Sequence, residues 1–399
     1  MIEQTVREIL DLVLRWVHLI AGIMWIGNSL LFNWLDRNLV RDDGAGERHV
    51  GRIWLLHSGG FYDVEKKFLA PSEMPRVLHW FKWQAYTTWL TGFALLTLLY
   101  WTGGATLVID RDVAALTPGQ AVHIGLAVVV GGWIVYDVVW RLLGRFEAVA
   151  IAVSLALLAG VVWGLTHLFS GRAAFIHVGA LLGTLMAGNV AMHIVPSQRK
   201  LVAATREGRP QDRRDSDHAK QRSIHNNYMT FPLLFTMLSN HFSLVYGSPW
   251  SGALLGVLFV GGALCRHWLN VRFTFRSWIP ALACTIVATV GVVAFATLRP
   301  SGPEAVATPG APPVAFASVQ FVLQQRCTPC HSDHPTIAST PPAPAGVRFD
   351  TAEQVGVWKE RIRARAVVTR SMPLNNQTGM TTEERDTLAQ WFMQGALTQ

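Results

Sequence analysis

Charge is scarce in this chain. Asp, Glu, Lys and Arg make up 15% of 399 residues, against about a quarter in an average soluble domain. With 51% hydrophobic residues, 16 Trp and a mean hydropathy of +0.28, a disordered chain is excluded and a soluble enzyme is disfavoured. Cysteine is scarce too: four Cys cannot build a disulfide scaffold. Acidic residues are outnumbered, 26 against 34 Lys and Arg, for a net charge of +8. The basic residues lie in short stretches between apolar runs, a pattern that orients a membrane protein and does not call for nucleic acid.

What the chain has is long apolar runs. About 20 apolar residues cross a bilayer core as a helix. Eight spans are predicted, at about 10–34, 83–101, 120–140, 147–168, 173–195, 229–246, 251–268 and 278–298. Trp80, Trp83, Tyr100 and Trp101 mark span ends, as in interfacial aromatic belts. The first run lacks a basic leader and is too long for a signal peptide, so it reads as a permanent helix. The connections 35–82, 141–147, 196–227 and 266–277 hold 21 Lys and Arg; the opposite side holds only Arg7, Arg15, Arg111 and Arg172 before the tail. The richer side is expected to be cytoplasmic, with both chain ends periplasmic. The fold class is therefore all-α, a polytopic helical membrane bundle (1–298). A Pro-rich linker (299–315) and a small soluble unit (316–399) follow.

The tail carries CTPCH at 327–331. In this motif Cys327 and Cys330 form thioethers to one haem c, and His331 takes the proximal iron position. A zinc site would need a second ligand pair, and no further Cys follows. FASVQFVLQQR before the motif and TTEERDTLAQWFMQGAL near the end read as helices of a class I-like cytochrome c. Thr381 and Glu384 form a capping-box pattern, and Leu388, Trp391 and Phe392 share one face. Met372 in SMPL is the expected sixth ligand, with Met380 as rival. Haem c is attached outside the cytoplasmic membrane in bacteria, which agrees with the charge-derived topology. Lys359, Arg361, Arg363, Arg365 and Arg370 form a basic stretch that could steer an acidic partner.

Five segments together carry a family resemblance: RWVHLIAGIMWIGNS from 15, HSGGFYDVEKKFLAP from 57, FKWQAYTTWLTGF from 81, GRAAFIHVGA from 171 and AKQRSIHNNYMTFPLLFTMLSNH from 219. In this order, with a fused CxxCH unit, the chain resembles the bacterial membrane-bound cytochrome c urate oxidases, or urate hydroxylases. The resemblance implies two-electron oxidation of urate to 5-hydroxyisourate. Water supplies the oxygen, haem c takes the electrons, and no hydrogen peroxide forms. A downstream cytochrome c or terminal oxidase would drain the electrons, and the protein would sit in the bacterial inner membrane. Two alternatives stay open: a quinol-oxidising electron-transfer cytochrome and a cytochrome-fused transporter.

Ten of the 14 His fall in or beside the spans. His18, His123, His167, His177 and His241 lie towards the periplasmic side, and His57, His79, His193, His225 and His267 towards the cytoplasmic side. His18, His177 and His241 are candidate ligands or neighbours of a haem b that would relay electrons across about 30 Å of hydrocarbon. Urate is a planar anion, suited to Arg and amide side chains. Gln221, Arg222, Asn226, Asn227 and Tyr228 crowd one helix start, with Lys66, Lys82 and Arg266 on the same predicted face. His57, His225 and His267 are the candidate bases. Asp137 reads as an i,i+4 partner of Arg141, and Cys265 and Cys284 as small core residues.

Overall fold

A computed structural model describes residues 2–41, 46, 48–210, 212–298, 312–337 and 344–398. Most of the predicted linker, 299–311, lies outside the described residues. The chain is mostly helical. Helix α1 (Ile2–Asn38) packs along α2 (Lys82–Leu96), which continues through a wider π turn over Thr97–Trp101. Then come α3 (Pro118–Leu143), α4 (Glu147–Leu168), α5 (Gly171–Arg206), α6 (Arg213–Leu238), α7 (Ser251–Val271) and α8 (Trp278–Leu298).

Six helices, α1, α3, α4, α5, α7 and α8, are long and apolar enough to cross a membrane among the described residues. The two other expected spans correspond to α2 and α6. The predicted span 229–246 is displaced: α6 starts at Arg213, where Asp212 caps Arg214 N–H at 2.9 Å, and ends at Leu238. Hydropathy missed its first half because those residues are polar, yet Arg222, Asn226 and Asn227 are buried against other helices. Cys265 is half-buried and Cys284 exposed, so Cys284 is not a core residue.

Helix α5 is the centre of the bundle. Phe175, His177, Val178, Leu181, Leu182 and Met186 are all buried, and α2, α3, α4 and α6 pack around it. Small residues let the neighbours approach. A Cβ added at Gly188 would overlap Nε1 of Trp133 on α3. Three π turns, at Thr97–Trp101, Ala127–Gly131 and Val190–Ile194, interrupt α2, α3 and α5. Such turns shift the faces that follow them and gather at functional sites; the first holds Trp101 and the third His193.

The all-α expectation needs one addition. Strands β1 (His49–His57) and β2 (Gly60–Lys67) form an antiparallel hairpin in the connection after α1. Ser58 (φ 51°) and Gly59 (φ 75°) both take left-handed angles in a two-residue turn, as a type I′ hairpin requires. The signal was Ser-Gly between β-prone runs, masked by the basic content of the loop.

The C-terminal unit packs α9 (Phe316–Arg326), α10 (Ala352–Ile362) and α11 (Thr382–Met393) around Val319, Leu323, Val355, Leu388 and Trp391. Both predicted helices are present, and the Thr381–Glu384 capping box forms.

Gly188→Ala should lower the thermal unfolding midpoint by the equivalent of about 1–3 kcal/mol, the usual cost of overpacking. Gly160→Ala, where an added Cβ meets nothing within 4 Å, should leave the midpoint unchanged or raise it in the same assay.

Candidate functional site

Three helices converge on a polar cluster buried in the bundle. Helix α3 contributes Tyr136, Asp137, Trp140 and Arg141; α5 contributes Asn189 and His193; α6 contributes His218, Arg222, His225 and Asn226. These sets repeat at i+3 and i+4, so each lies on one helix face. Asp137 is the hub. Its Oδ2 meets Arg141 Nε at 2.6 Å, and its Oδ1 meets His193 Nε2 at 2.6 Å and Arg222 Nη2 at 3.3 Å. His193 Nδ1 and His218 Nε2 are 3.0 Å apart. If His193 donates to the carboxylate, its Nδ1 accepts from His218, giving a hydrogen-bonded chain from His218 to Asp137.

Arg222 has no exposed surface. Its guanidinium lies over Tyr136 at 5.1 Å and Trp140 at 5.9 Å. Nη2 is engaged, but among the described residues Nε and Nη1 have no hydrogen-bond partner. His225 sits one turn along. Its Nδ1 is 2.7 Å from the Tyr136 hydroxyl, its ring packs on Trp140 at 4.0 Å, and its buried Nε2 is also without a partner. Asn189 Nδ2 donates to Tyr136 (3.2 Å) and Asn226 (2.9 Å), and Asn226 Nδ2 donates to Met186 O at 3.0 Å. Leaving such donors unmatched in a buried site costs about 1–3 kcal/mol each. Asn189 Oδ1 is buried and unpaired as well, so the cluster presents open donors beside an open acceptor.

The other predicted substrate residues divide. Adjacent residues on a helix point about 100° apart, so Asn227 and Tyr228 leave the cluster and face α7. Arg266 Nε and Asn270 Nδ2 donate to Asn227 Oδ1 at 3.0 and 2.7 Å, and Tyr228 meets His267 Nδ1 at 2.8 Å. Gln221 is half-buried on α6. His57 is exposed at the hairpin tip, bonded only to Ser58. Lys66 is exposed and pairs with Asp36 at 2.6 Å. Lys82 lies over Trp80 and Trp83, 5.6 Å from each ring. The structure does not bring His57, Lys66 and Lys82 to the Arg222 cluster: an unforeseen hairpin carries the first two, and tryptophans hold the third. Sequence reasoning missed Tyr136, Asn189, His193 and His218 as a unit and gave Asp137 only its Arg141 partner. The i+4 pairs Tyr136/Trp140 and Asn189/His193 were the available signal.

At the opposite end of the bundle, His177 is fully buried. Its Nδ1 bonds Ala173 O at 2.8 Å, and its Nε2 accepts from Trp101 Nε1 at 3.0 Å. A Cβ on Gly125 would come within 2.8 Å of both ring nitrogens of that pair, so the glycine makes room for it. His18 Nδ1 bonds Thr88 O at 2.9 Å and Thr91 at 3.1 Å. His241 is exposed in a turn after α6. His177, with both ring nitrogens engaged, does not fit as a haem b ligand in this arrangement, and His241 is exposed; the bonds of His18 go through Nδ1 and leave Nε2. Among the described residues no cluster of three or more His, Cys, Asp or Glu could hold a metal.

Residues 102–117 fold over that end, with Ala105 and Val108 fully buried and Ser170 Oγ donating to Leu107 O at 2.7 Å. The C-terminal unit touches this loop. Asn375 Nδ2 and Gln377 Nε2 donate to Thr106 O at 2.7 and 3.1 Å, and Asn376 Nδ2 donates to Asp112 Oδ1 at 3.1 Å. Burial, more than any other influence, pushes the Asp110 carboxyl in this loop above the usual carboxylate range.

The C-terminal unit has the donor set for haem c. Cys327 and Cys330 are not joined in a disulfide. Backbone bonds from Cys330 N (3.1 Å) and His331 N (2.8 Å) to Cys327 O close one tight turn around all three side chains. Burial pushes the Cys327 thiol up to about 12. His331 Nδ1 is 3.2 Å from Val347 O, which leaves Nε2 for iron. Met372 is half-buried and Met380 packs in the core. Buried Arg385, unforeseen from the sequence, donates to Met372 O at 2.8 Å and so steadies that loop.

A family model described as urate oxidase N-terminal matches residues 4–297. The chain belongs to this urate oxidase family. The match spans every bundle helix, and with them both polar clusters and the Trp101–His177 pair; the CTPCH unit lies beyond it. No curated protein and no solved structure matches the chain. Family membership connects the bundle to urate oxidation.

Asp137→Ala should destabilise the protein by about 3–5 kcal/mol, because it strands the buried Arg222 charge. Arg141→Ala removes the exposed partner and should cost less than about 1 kcal/mol. Thermal unfolding of the two variants in one detergent checks the contrast.

Proposed function

We propose that this protein is an inner-membrane oxidoreductase that converts urate to 5-hydroxyisourate, taking the oxygen from water and passing electrons to a haem c on its own C-terminal unit. One observation carries the assignment of the site: a fully buried guanidinium with Nε and Nη1 unpaired, one helical turn from an unpaired imidazole Nε2. Family membership supplies the substrate.

In this reading Arg222 binds the urate anion through its open Nε–H and Nη1–H donors, which point to different edges of the guanidinium and so meet different acceptors. Trp140 and Tyr136 wall the site and exclude water from the guanidinium. When Nδ1 of His225 donates to Tyr136, Nε2 offers a lone pair and serves as base towards the attacking water. His218, His193 and Asp137 form a line along which the proton can leave. The balance is urate anion plus water giving 5-hydroxyisourate, one proton and two electrons. Haem c, held by Cys327, Cys330 and His331 with Met372 as the expected sixth ligand, would accept one electron at a time.

Two features support an internal electron route. Trp101, His177 and Tyr100 make a contiguous aromatic group at the end of the bundle, with ring centroids about 6 Å apart. Asn375, Asn376 and Gln377 tie the Met372–Met380 loop to residues 106 and 112, which cover that end. The charge-derived orientation puts this end, and both chain ends, in the periplasm.

Anaerobic turnover in H2(18)O with an oxidised external acceptor should yield 5-hydroxyisourate carrying one heavy oxygen and no peroxide. Label arriving from dioxygen, with stoichiometric peroxide, would overturn the proposal. His225→Gln should lower kcat by about 10²–10⁴, the range for losing a general base, while the haem spectrum stays unchanged.

A further inference from the structure

A second arginine group lies at the same end of the bundle as Arg222 but on the far side of α6. It lines a cavity of about 350 Å³ between α1, α6 and α7. The walls are Leu30, Leu31, Asn33, Trp34 and Arg37 from α1, Phe231 from α6, and Arg266, Leu269, Arg272 and Phe273 from α7 and its end. The gap exists because α1 packs along α2 and meets α6 only lightly.

The charge in this cavity is one-sided. Arg266 is 4% exposed; its Nε reaches Asn227 at 3.0 Å, but its buried Nη2 has no partner among the described residues. Arg272 donates to Leu269 O at 3.0 Å and lies over Phe273 at 4.5 Å. Arg37 adds a third guanidinium. Among the described residues no carboxylate lines the cavity, and the neighbouring Asp36 is paired with Lys66. Three like charges beside low-dielectric walls repel one another and call for an anion. The rim is apolar: Leu31 and Phe273 are 45% and 46% exposed, on the outer surface of the bundle.

We propose that this cavity binds a phosphate monoanion of the kind carried by an anionic phospholipid, with the headgroup on Arg37, Arg266 and Arg272 and the acyl chains along Leu31 and Phe273. A basic pocket between membrane helices on the positively charged side is the setting in which such headgroups are recognised. Arg266 supplies the fixed donor, and Arg37 and Arg272 close over the phosphate from the two helix ends. The site is separate from the Arg222–His225 cluster, since Asn226 and Asn227 send the two groups to different helices.

The test uses the full chain, delipidated in detergent and titrated with phosphatidylglycerol, with phosphatidylcholine and with inorganic phosphate, with native mass spectrometry as readout. Phosphatidylglycerol should bind at least about tenfold more tightly than phosphatidylcholine. Arg37→Gln, at an exposed position, and Arg272→Gln, at a half-buried one, should each weaken that binding at least about fivefold. Urate turnover per folded molecule should keep its KM, because neither residue belongs to the proposed urate site. Equal binding of the two lipids would overturn the proposal, as would variants that bind like wild type. Inorganic phosphate binding as tightly as phosphatidylglycerol would assign the site to the free anion and refute the lipid. A raised urate KM in both variants would make the cavity part of the urate site and refute it as well.

Discussion

The bundle depends on one buried carboxylate. Asp137 holds Arg141, His193 and Arg222, so three helices are joined through two oxygens. A charge in this setting is costly unless paired, and each partner accordingly has a fixed position. Arg222 is oriented by Asp137 on one nitrogen and by the faces of Tyr136 and Trp140. That fixation leaves its other nitrogens available without allowing the side chain to swing away. His225 is then set by Tyr136, itself held by Asn189. The unpaired groups are thus a by-product of the pairing that stabilises the helices, and in the proposed function a planar anion completes them.

A second constraint is separation. The Arg222 cluster lies towards one end of the bundle and the Trp101–His177 pair towards the other, with the stretch of α5 from Val178 to Met186, apolar apart from Thr184, between them. In the proposed function, oxidation at one end and haem c beyond the other would send electrons along this central helix. The loop 102–117 completes the arrangement, because it is buried into the bundle through Ala105 and Val108 and hydrogen-bonded to the C-terminal unit through Thr106 and Asp112. The urate-oxidising domain and the proposed electron acceptor thereby share a defined surface.

Much of this was legible in the residues. Apolar run length located the helices, because burial in lipid demands about 20 apolar residues whatever the neighbours are. The urate family was legible from five ordered segments. Asp137–Arg141 was legible as a local i,i+4 pair, but its partners on α5 and α6 lie 56 and 85 positions away, and no local pattern encodes which helices meet. The same limit explains why His57 and Lys66 were grouped with Arg222: a shared side of the membrane is not a shared site, and the hairpin turn at Ser58–Gly59 carries them apart. His18, His177 and His241 formed a layer in sequence, yet only packing reveals that Trp101 occupies His177 Nε2. Neighbours with opposite fates, such as Asn226 and Asn227, separate only once helix rotation is known.

The central claim is that urate oxidised in the bundle reduces the haem c of the same chain. Its most direct test is anaerobic rapid mixing of the fully oxidised protein with urate while the visible spectrum is followed. The account predicts a reduced c-type α-band that reaches completion at half an equivalent of urate per haem, with 5-hydroxyisourate formed in step. Urate consumption that appears only when oxygen is admitted, with no change in the haem band, would contradict it.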